Sequence, residues 1–270
     1  MLGSIIGDII GSRFEFNNIL NKEFELFTDK STFTDDTVST IATMDWLNTN
    51  HEEDFTKYIK KWYKKYPNVG FSPRFIGWIN GNRKGDSYGN GAPMRIAPIG
   101  NYAFGSDEVI TLSFVNSKTS HNSKEAMRGA AAIAMCVHYS KNRMKKLTIK
   151  EKIESRFGYD LDMSLLELRK TNVFSTLAIT TVPQSIACFL QSDSFEDAIR
   201  LAISIGGDSD TIACMTGGIA GTFYPTPKIM RQEALKRLPQ EMVDVIKKFE
   251  KIIKTQESDE NLAKRRFIME

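Results

Sequence analysis

Residues 206–211, with the sequence GGDSDT, lead directly into the apolar segment 212–221. Two adjacent glycines allow a tight backbone turn, so the pattern predicts a turn that opens a buried helix. Two carboxylates and a hydroxyl lie within four residues of this turn, where several oxygen atoms can converge on one point. Hard oxygen ligands of this kind suit a divalent cation.

A second cluster of the same character, TDDT at residues 34–37, precedes another apolar helical pattern. Each cluster alone is typical of an ordinary helix N-cap, and that interpretation stays open. Capping needs only one such residue, however, and neighbouring carboxylates at the entrance of an apolar helix repel one another unless a cation compensates. We therefore predict that the fold brings the two clusters together around metal.

Two familiar loops are excluded for residues 206–211. If Asp208 were the first position of an EF-hand loop, Ala213 would stand where the turn glycine belongs and Ile219 where the bidentate glutamate belongs. A phosphate-binding P-loop is excluded because no Gly-Lys-Ser/Thr follows the glycines.

The chain has 270 residues, 41% of them hydrophobic, and can bury a sizeable core. We predict one domain over residues 1–270, with a charged tail that frays from about residue 255. The net charge of +3 comes from mixed charges, so nucleic acid is not implied. The three cysteines (Cys136, Cys188, Cys214) lie in apolar runs without metal-binding spacing, which indicates buried free thiols in a reducing compartment.

The apolar N-terminus carries Asp8 and no basic leader, and no later run reaches the ~20 uncharged residues of a membrane span. We therefore expect a cytoplasmic, monomeric protein that does not contact a membrane.

Hydrophobic periodicity predicts an all-α fold. In the predicted helix 3–15, Gly3, Gly7 and Gly11 form a stripe of small residues that lets another backbone approach closely, so this helix should be central. The pattern at 52–66 is that of an amphipathic surface helix. Further helices are predicted at 107–114, 123–139, 148–157, 162–170, 174–190, 195–205 and 228–253.

Two segments carry breakers. Residues 69–105 are rich in Gly, Pro, Asn and Ser with interleaved aromatic side chains, which predicts a long ordered loop. Pro183 should end or kink the predicted helix 174–190.

Five motifs in order resemble those of the ADP-ribosylglycohydrolase family, which includes the dinitrogenase-reductase-activating glycohydrolases. They are GDIIGSRFE at 7–15, FTDDT at 33–37, SYGNGAPMR at 87–95, TSH at 119–121 and GGDSDT at 206–211. The resemblance spans nearly the whole chain. It implies a compact all-α orthogonal bundle with a binuclear magnesium centre. The implied activity is hydrolysis of the glycosidic bond between ADP-ribose and a protein side chain or small acceptor.

The resemblance also implies site residues. The metal ligands would be Thr34, Asp35, Asp36, Asp208, Asp210 and Thr211. An all-oxygen set without His or Cys suits two Mg²⁺ ions, or Mn²⁺, rather than zinc.

The glycine-rich segment 87–95 resembles the part of the family's site that holds the ribose and diphosphate. Glycines let backbone amides approach phosphate oxygens, while Asn90 offers directional hydrogen bonds and Arg95 a positive charge. On the residues alone, a polar turn is the alternative. The substrate-binding candidates are Ser87, Gly89, Asn90, Gly91, Met94, Arg95 and His121.

For catalysis, the candidates are Glu15, Asp35 and Asp210. In glycoside cleavage one carboxyl group protonates the leaving group or activates water, and metals polarise hydroxyl groups. The resemblance places Glu15 near the metals, whereas on sequence alone a glutamate near the end of an apolar helix is most often a solvated residue.

Two other functions remain open from the sequence. One is a non-catalytic ADP-ribose-binding or structural relative, as the crystallin-like members are, although no implied metal ligand is missing. The other is a metal hydrolase that acts on another nucleotide and would release phosphate rather than ADP-ribose.

Overall fold

The computed structural model describes residues 2–269, with the side chains of residues 2–256 and of Ser258. The tail predicted to fray begins at about residue 255. Except at residues 255, 256 and 258, its side chains lie outside the described residues. The described chain folds into helices without a β-sheet, which confirms the all-α prediction. Among these residues, no helix is both long and apolar enough to cross a membrane.

Fourteen α-helices make up the described chain. Short 3₁₀ turns at Ser12–Phe14 and Pro93–Arg95 supplement them. The helices are α1 (Gly3–Gly11), α2 (Asp35–Leu47), α3 (Phe55–Lys65), α4 (Pro73–Ile79), α5 (Ala97–Tyr102), α6 (Ser106–Ser117), α7 (Lys124–Lys141), α8 (Lys146–Phe157), α9 (Leu165–Thr171), α10 (Ala178–Gln191), α11 (Phe195–Ser204), α12 (Ser209–Phe223), α13 (Lys228–Lys236) and α14 (Gln240–Met269).

Helix α12 lies at the centre of the bundle and is buried from Ser209 to Ala220. It packs on α1, α7, α10 and α11. The contact with α1 is the closest, because a Cβ atom added at Gly7 would lie 2.0 Å from the carbonyl oxygen of Ala213. The glycine stripe of α1 therefore brings two backbones together, and the prediction that α1 is central is confirmed.

Residues 69–105 contain more regular structure than predicted. Helices α4 and α5 and one 3₁₀ turn interrupt what the composition indicated as a continuous loop. Helix α4 begins at a serine cap, where the Ser72 hydroxyl oxygen accepts from Phe75 N and Pro73 occupies the first turn. The loop prediction was wrong here because helices of six or seven residues are too short to show a clear period.

Pro183 does not end its helix, since α10 runs from Ala178 to Gln191 with the proline inside it. The interpretation of a helix end there was wrong. Pro183 lies in the second turn, so it removes one backbone donor. Burial of both faces holds the rest of the helix in place, from Thr181 to Phe189.

Candidate active site

The two acidic clusters lie at the N-termini of α2 and α12. The Thr34 hydroxyl oxygen caps α2 by accepting from Asp36 N, and Asp208 occupies the cap position of α12. The Thr211 hydroxyl donates to Asp36 Oδ2 at 3.3 Å and so joins the clusters. The prediction that the fold brings the clusters together is therefore confirmed.

The carboxylates form two overlapping groups. Asp8, Asp36 and Asp210 offer oxygen atoms that all lie within 4.8 Å of one another, and Glu15, Asp208 and Asp210 do the same. Asp210 belongs to both groups. Such an arrangement of carboxylate oxygens can hold a divalent cation.

Crowding perturbs these groups in the metal-free protein. Burial raises the pKa of Asp36 and of Asp210 well above the usual range, and repulsion from neighbouring carboxylates adds to the effect. The pKa of Asp35 is raised in the same way. So many buried carboxylates can be ionised together only if positive charge compensates them.

A buried carboxylate oxygen without a hydrogen-bond partner among the described residues indicates that the cluster fits a metal ion. Asp36 Oδ1 is buried and has no hydrogen-bond partner within the described part of the chain. An unpaired carboxylate oxygen in an all-oxygen cluster suits Mg²⁺ or Mn²⁺. Asp36, Asp208 and Asp210 offer carboxylate oxygens to a cation, whereas Asp35 lines the pocket outside both groups. The hydroxyls of Thr34 and Thr211 lie beside Asp36.

Asp8 is a site residue that the sequence interpretation missed. Its carboxylate accepts from Thr34 N at 3.0 Å and from Thr37 N at 3.1 Å, and both threonine hydroxyls donate to it as well. Asp8 thus ties α1 to the turn that begins α2. The available signal was a lone carboxylate in an otherwise apolar, glycine-striped helix.

Glu15 follows the 3₁₀ turn after α1 and lines the pocket beside Asp208. Burial, with repulsion from Asp208 and Asp8, raises the pKa of Glu15 to about 7 in the metal-free protein. A carboxyl group with this pKa can hold or release a proton near neutral pH.

Two asparagines outside the predicted set shape the second cluster. Gly206 and Gly207 have positive φ angles, of 70° and 78°. Asn18 Oδ1 accepts from Gly207 N at 2.8 Å, and Asn172 Nδ2 donates to the carbonyl oxygens of Ile205 and Gly206. These amides hold the turn that presents Asp208. Nothing in the local sequence of either asparagine indicates this role.

The glycine-rich segment meets the carboxylates through Asn90. Its Nδ2 donates to Asp208 Oδ2 at 2.7 Å, while its backbone N–H donates to the carbonyl of Thr176. Isolated β-bridges pair Asp86 with His121 and Gly89 with Leu177. The segment is therefore fixed on both sides.

Arg95 and His121 lie side by side beneath this segment. Arg95 is 0% exposed, and its guanidinium donates to Asn116, to the Gly91 carbonyl and to Ser120. His121 Nδ1 lies 2.8 Å from Ser120 Oγ. Burial, with the charges of Arg95 and Arg74, lowers the pKa of His121 well below its usual value.

One pocket is lined by most of these groups and has a volume of about 360 Å³, within the range of small-molecule sites. Every predicted site residue except Thr34 lines this pocket. The Thr34 hydroxyl instead donates to Asp8, which is outside the lining. The lining residues are Glu15, Asp35, Asp36, Ser39, Gly70, Phe71, Ser72, Pro73, Arg74, Phe75, Ser87, Tyr88, Gly89, Asn90, Gly91, Met94, Arg95, His121, Thr176, Leu177, Asp208, Asp210 and Thr211.

The lining has two chemically distinct parts. A smaller adjoining cavity of about 20 Å³ shares Ser72, Arg74, Phe75, Ser87 and His121 with the pocket but none of its carboxylates. The basic and hydroxyl groups therefore lie apart from the acidic cluster. Such a pocket can bind a molecule with a cation-binding end and an anionic end.

Comparison with known proteins identifies the family of this chain. The family model described as ADP-ribosylglycohydrolase matches residues 1–266. ADP-ribosylhydrolase ARH3 of Homo sapiens is 25% identical over 305 residues, covering 83% of this chain and 84% of that protein. ADP-ribosylarginine hydrolase Tri1 of Pseudomonas putida (strain GB-1) is 24% identical over 287 residues, covering 90% of this chain and 76% of that protein.

A solved structure, an ADP-ribosylglycohydrolase-related protein complex, has a similar fold. Its TM-score is 0.70 at 20% identity, with 93% of this chain and 95% of that chain covered. Since the family model spans almost the entire sequence, the chain belongs to the ADP-ribosylglycohydrolase family of hydrolytic enzymes.

Proposed function

We propose that this enzyme is a magnesium-dependent hydrolase that cleaves the glycosidic bond between ADP-ribose and an acceptor. The observation that carries the proposal is the hydrogen bond from Asn90 Nδ2 to Asp208 Oδ2, 2.7 Å long. It joins the acidic cluster to the glycine-rich segment within one pocket. A ribose at the carboxylates would thus have its diphosphate beside the glycines.

Arg74 is our candidate for the charge that faces the diphosphate. Its Nη2 is held by Asp86 Oδ1 at 2.6 Å, and its side chain is 41% exposed. Arg95, the other arginine among the described lining residues, donates to protein acceptors from all three of its nitrogens. We therefore assign the direct electrostatic contact to Arg74 rather than to Arg95.

The carboxylates have separate tasks in this proposal. Asp35, Asp36, Asp208 and Asp210 hold the ions, while Asp8 orients the first cluster through Thr34 and Thr37. Bound magnesium would supply Lewis-acid polarisation of ribose hydroxyls and a lowered pKa for the attacking water. Glu15 holds the proton that moves between the attacking water and the leaving group.

The test is product analysis with a panel of ADP-ribosyl substrates linked through arginine, serine, a nucleobase or a small molecule. Arginine is the first linkage to assay, because one group of relatives carries the name ADP-ribosylarginine hydrolase. We expect free ADP-ribose with magnesium and none with a chelator. Release of phosphate or AMP would overturn the proposal in favour of another nucleotide hydrolase. Binding of ADP-ribose without turnover of any panel member would indicate a non-catalytic relative.

A further inference from the structure

Arg95 is placed to act on His121 rather than on a ligand. It is 0% exposed, and its guanidinium lies over the Phe55 ring, 4.9 Å from the centroid. Its Nε donates to Asn116 Oδ1 at 2.9 Å, and its Nη2 donates to the Asn116 carbonyl and to Ser120 Oγ, both at 3.1 Å. Burial lowers the pKa of Arg95 to about 9, so the group remains a cation at neutral pH.

The hydroxyl of Ser120 has one proton to give. A guanidinium has no acceptor, so Ser120 Oγ must accept from Arg95. The Ser120 hydroxyl is then free to donate to His121 Nδ1, 2.8 Å away. When Nδ1 of a neutral imidazole accepts, the ring proton is carried by Nε2.

His121 Nε2 faces the glycine-rich turn. A Cβ atom added at Gly91 would lie 2.8 Å from Nε2, and one added at Gly89 would lie 3.9 Å from it. Glycine at position 91 thus lets the backbone lie close to this nitrogen without a side chain against it. His121 lines the pocket, and Nε2 has no hydrogen-bond partner among the described residues.

We propose that Arg95 and Ser120 are positioning residues that hold neutral His121 as its Nε2–H tautomer, so that Nε2 donates to an anionic oxygen of the bound nucleotide. The nucleotide part rests on the proposed function. The tautomer part concerns the ligand-free protein and does not depend on the substrate.

The experiment is ¹⁵N NMR of the ligand-free protein labelled at histidine. The chain has only three histidines, so a His121→Gln variant assigns the signals. We expect a protonated Nε2 and an unprotonated Nδ1 at neutral pH. In Ser120→Ala the two tautomers should both be populated, and Ser120→Thr, which keeps the hydroxyl, should restore the single form.

Ser113→Ala is the matched control, because Ser113 is another buried serine of this region and has no side-chain bond to His121. Its spectrum should equal that of the wild type. A protonated Nδ1 in the wild type would overturn the proposal. So would an unchanged tautomer in folded Ser120→Ala. If Ser120→Ala does not fold, the wild-type spectrum still shows which tautomer is present. Arg95→Lys then replaces Ser120→Ala as the perturbing variant.

ADP-ribose titration separates the two parts of the proposal. Ser120→Ala should bind ADP-ribose about tenfold more weakly, the size of one modest hydrogen bond, with unchanged magnesium affinity. If the tautomer is as expected but ADP-ribose does not bind the wild type, the proposed function fails and the positioning role stands. Equal ADP-ribose affinity in both proteins would overturn the ligand contact alone.

Discussion

Glu15 is the residue whose chemistry we expect to appear in turnover rather than in folding. In Glu15→Gln the side chain keeps its size but can no longer take up or release a proton. Acid–base catalysis should therefore fall by about 10² to 10⁴-fold. The measurement is release of ADP-ribose under saturating magnesium, with an unfolding curve run in parallel.

Glu23→Gln is the control for Glu15, because Glu23 lies on the same connection after α1 and is exposed. Its rate should match that of the wild type. A Glu15→Gln enzyme that turns over normally would remove Glu15 from the mechanism.

Arg74 and Arg95 should respond in opposite ways to replacement by glutamine. Arg74→Gln removes a half-exposed cation from the pocket and should weaken ADP-ribose binding by about 1–3 kcal/mol, with little change in stability. Arg95→Gln leaves buried partners at Asn116 and Ser120 unpaired and should lower the free energy of unfolding by about 1–3 kcal/mol.

Calorimetry of ADP-ribose binding and urea unfolding separate the two arginines. If Arg95→Gln kept full stability and Arg74→Gln kept full affinity, the assignment of the two residues would be reversed.

At the scale of single residues, the sequence predicted the acidic clusters because adjacent carboxylates before apolar helices are chemically unusual. It missed Asp8, whose role arises only when α1 meets Thr34 and Thr37 across more than twenty residues of chain. It indicated a ligand contact for Arg95 from the charge alone, whereas the burial of this residue leads us to propose a positioning role.

At the scale of elements, the contact of α1 with α12 is the most sensitive to volume. In Gly7→Ala the new methyl group would lie 2.0 Å from the Ala213 carbonyl oxygen, and backbone cannot rotate away as a side chain can. We expect a loss of about 3 kcal/mol or more in the free energy of unfolding. Urea denaturation measures it.

Gly105→Ala is the control for Gly7, because no described atom lies within 4 Å of a Cβ added there. Its cost should stay below about 1 kcal/mol, the value for a changed helix cap. Equal stabilities of the two variants would contradict the close packing of α1 on α12.

Long helices were predictable because several turns repeat the same apolar face, as in α3 and α7. The short helices α4 and α5 were not predictable in this way, since six or seven residues give fewer than two turns. The helix end predicted as one outcome at Pro183 was wrong for a different reason. The local penalty of the proline is outweighed by burial of the surrounding helix, which depends on α7 and α12.

For the whole molecule, the raised carboxylate pKa values give a signed pH dependence. Asp36 and Asp210 hold protons in the metal-free fold that the unfolded chain releases above pH 3.8. The free energy of unfolding of the metal-free protein should therefore fall as pH rises from 3.8 towards the raised pKa values of Asp36 and Asp210. Bound magnesium would displace those protons, so the magnesium-induced rise in melting temperature should grow as pH rises above 3.8.

The lowered pKa of His121 makes stability rise with pH, which is opposite in sign to the effect of the carboxylates. Comparing metal-free and magnesium-saturated protein at each pH cancels this contribution of His121. Melting curves at constant ionic strength make the comparison. A magnesium effect that shrinks as pH rises would contradict the carboxylate assignment.

The central claim is that the two acidic clusters form one metal centre, and magnesium-dependent thermal stability tests it most directly. Binding to the native state adds about 2.7 kcal/mol at a magnesium concentration of 100 Kd. The variants are Asp36→Asn and Asp210→Asn, with Asp162→Asn as control. Asp162 belongs to a separate acidic group with Glu154 and Asp160, where it pairs with Lys150.

We predict that Asp36→Asn and Asp210→Asn each lose most of the magnesium-dependent rise in melting temperature, since each removes a ligand of the same centre. Both should melt higher than the wild type without metal at neutral pH, because asparagine needs no proton uptake on folding. Asp162→Asn should keep the full rise. If either Asp36→Asn or Asp210→Asn keeps the full magnesium-dependent rise, the two clusters do not form a shared centre.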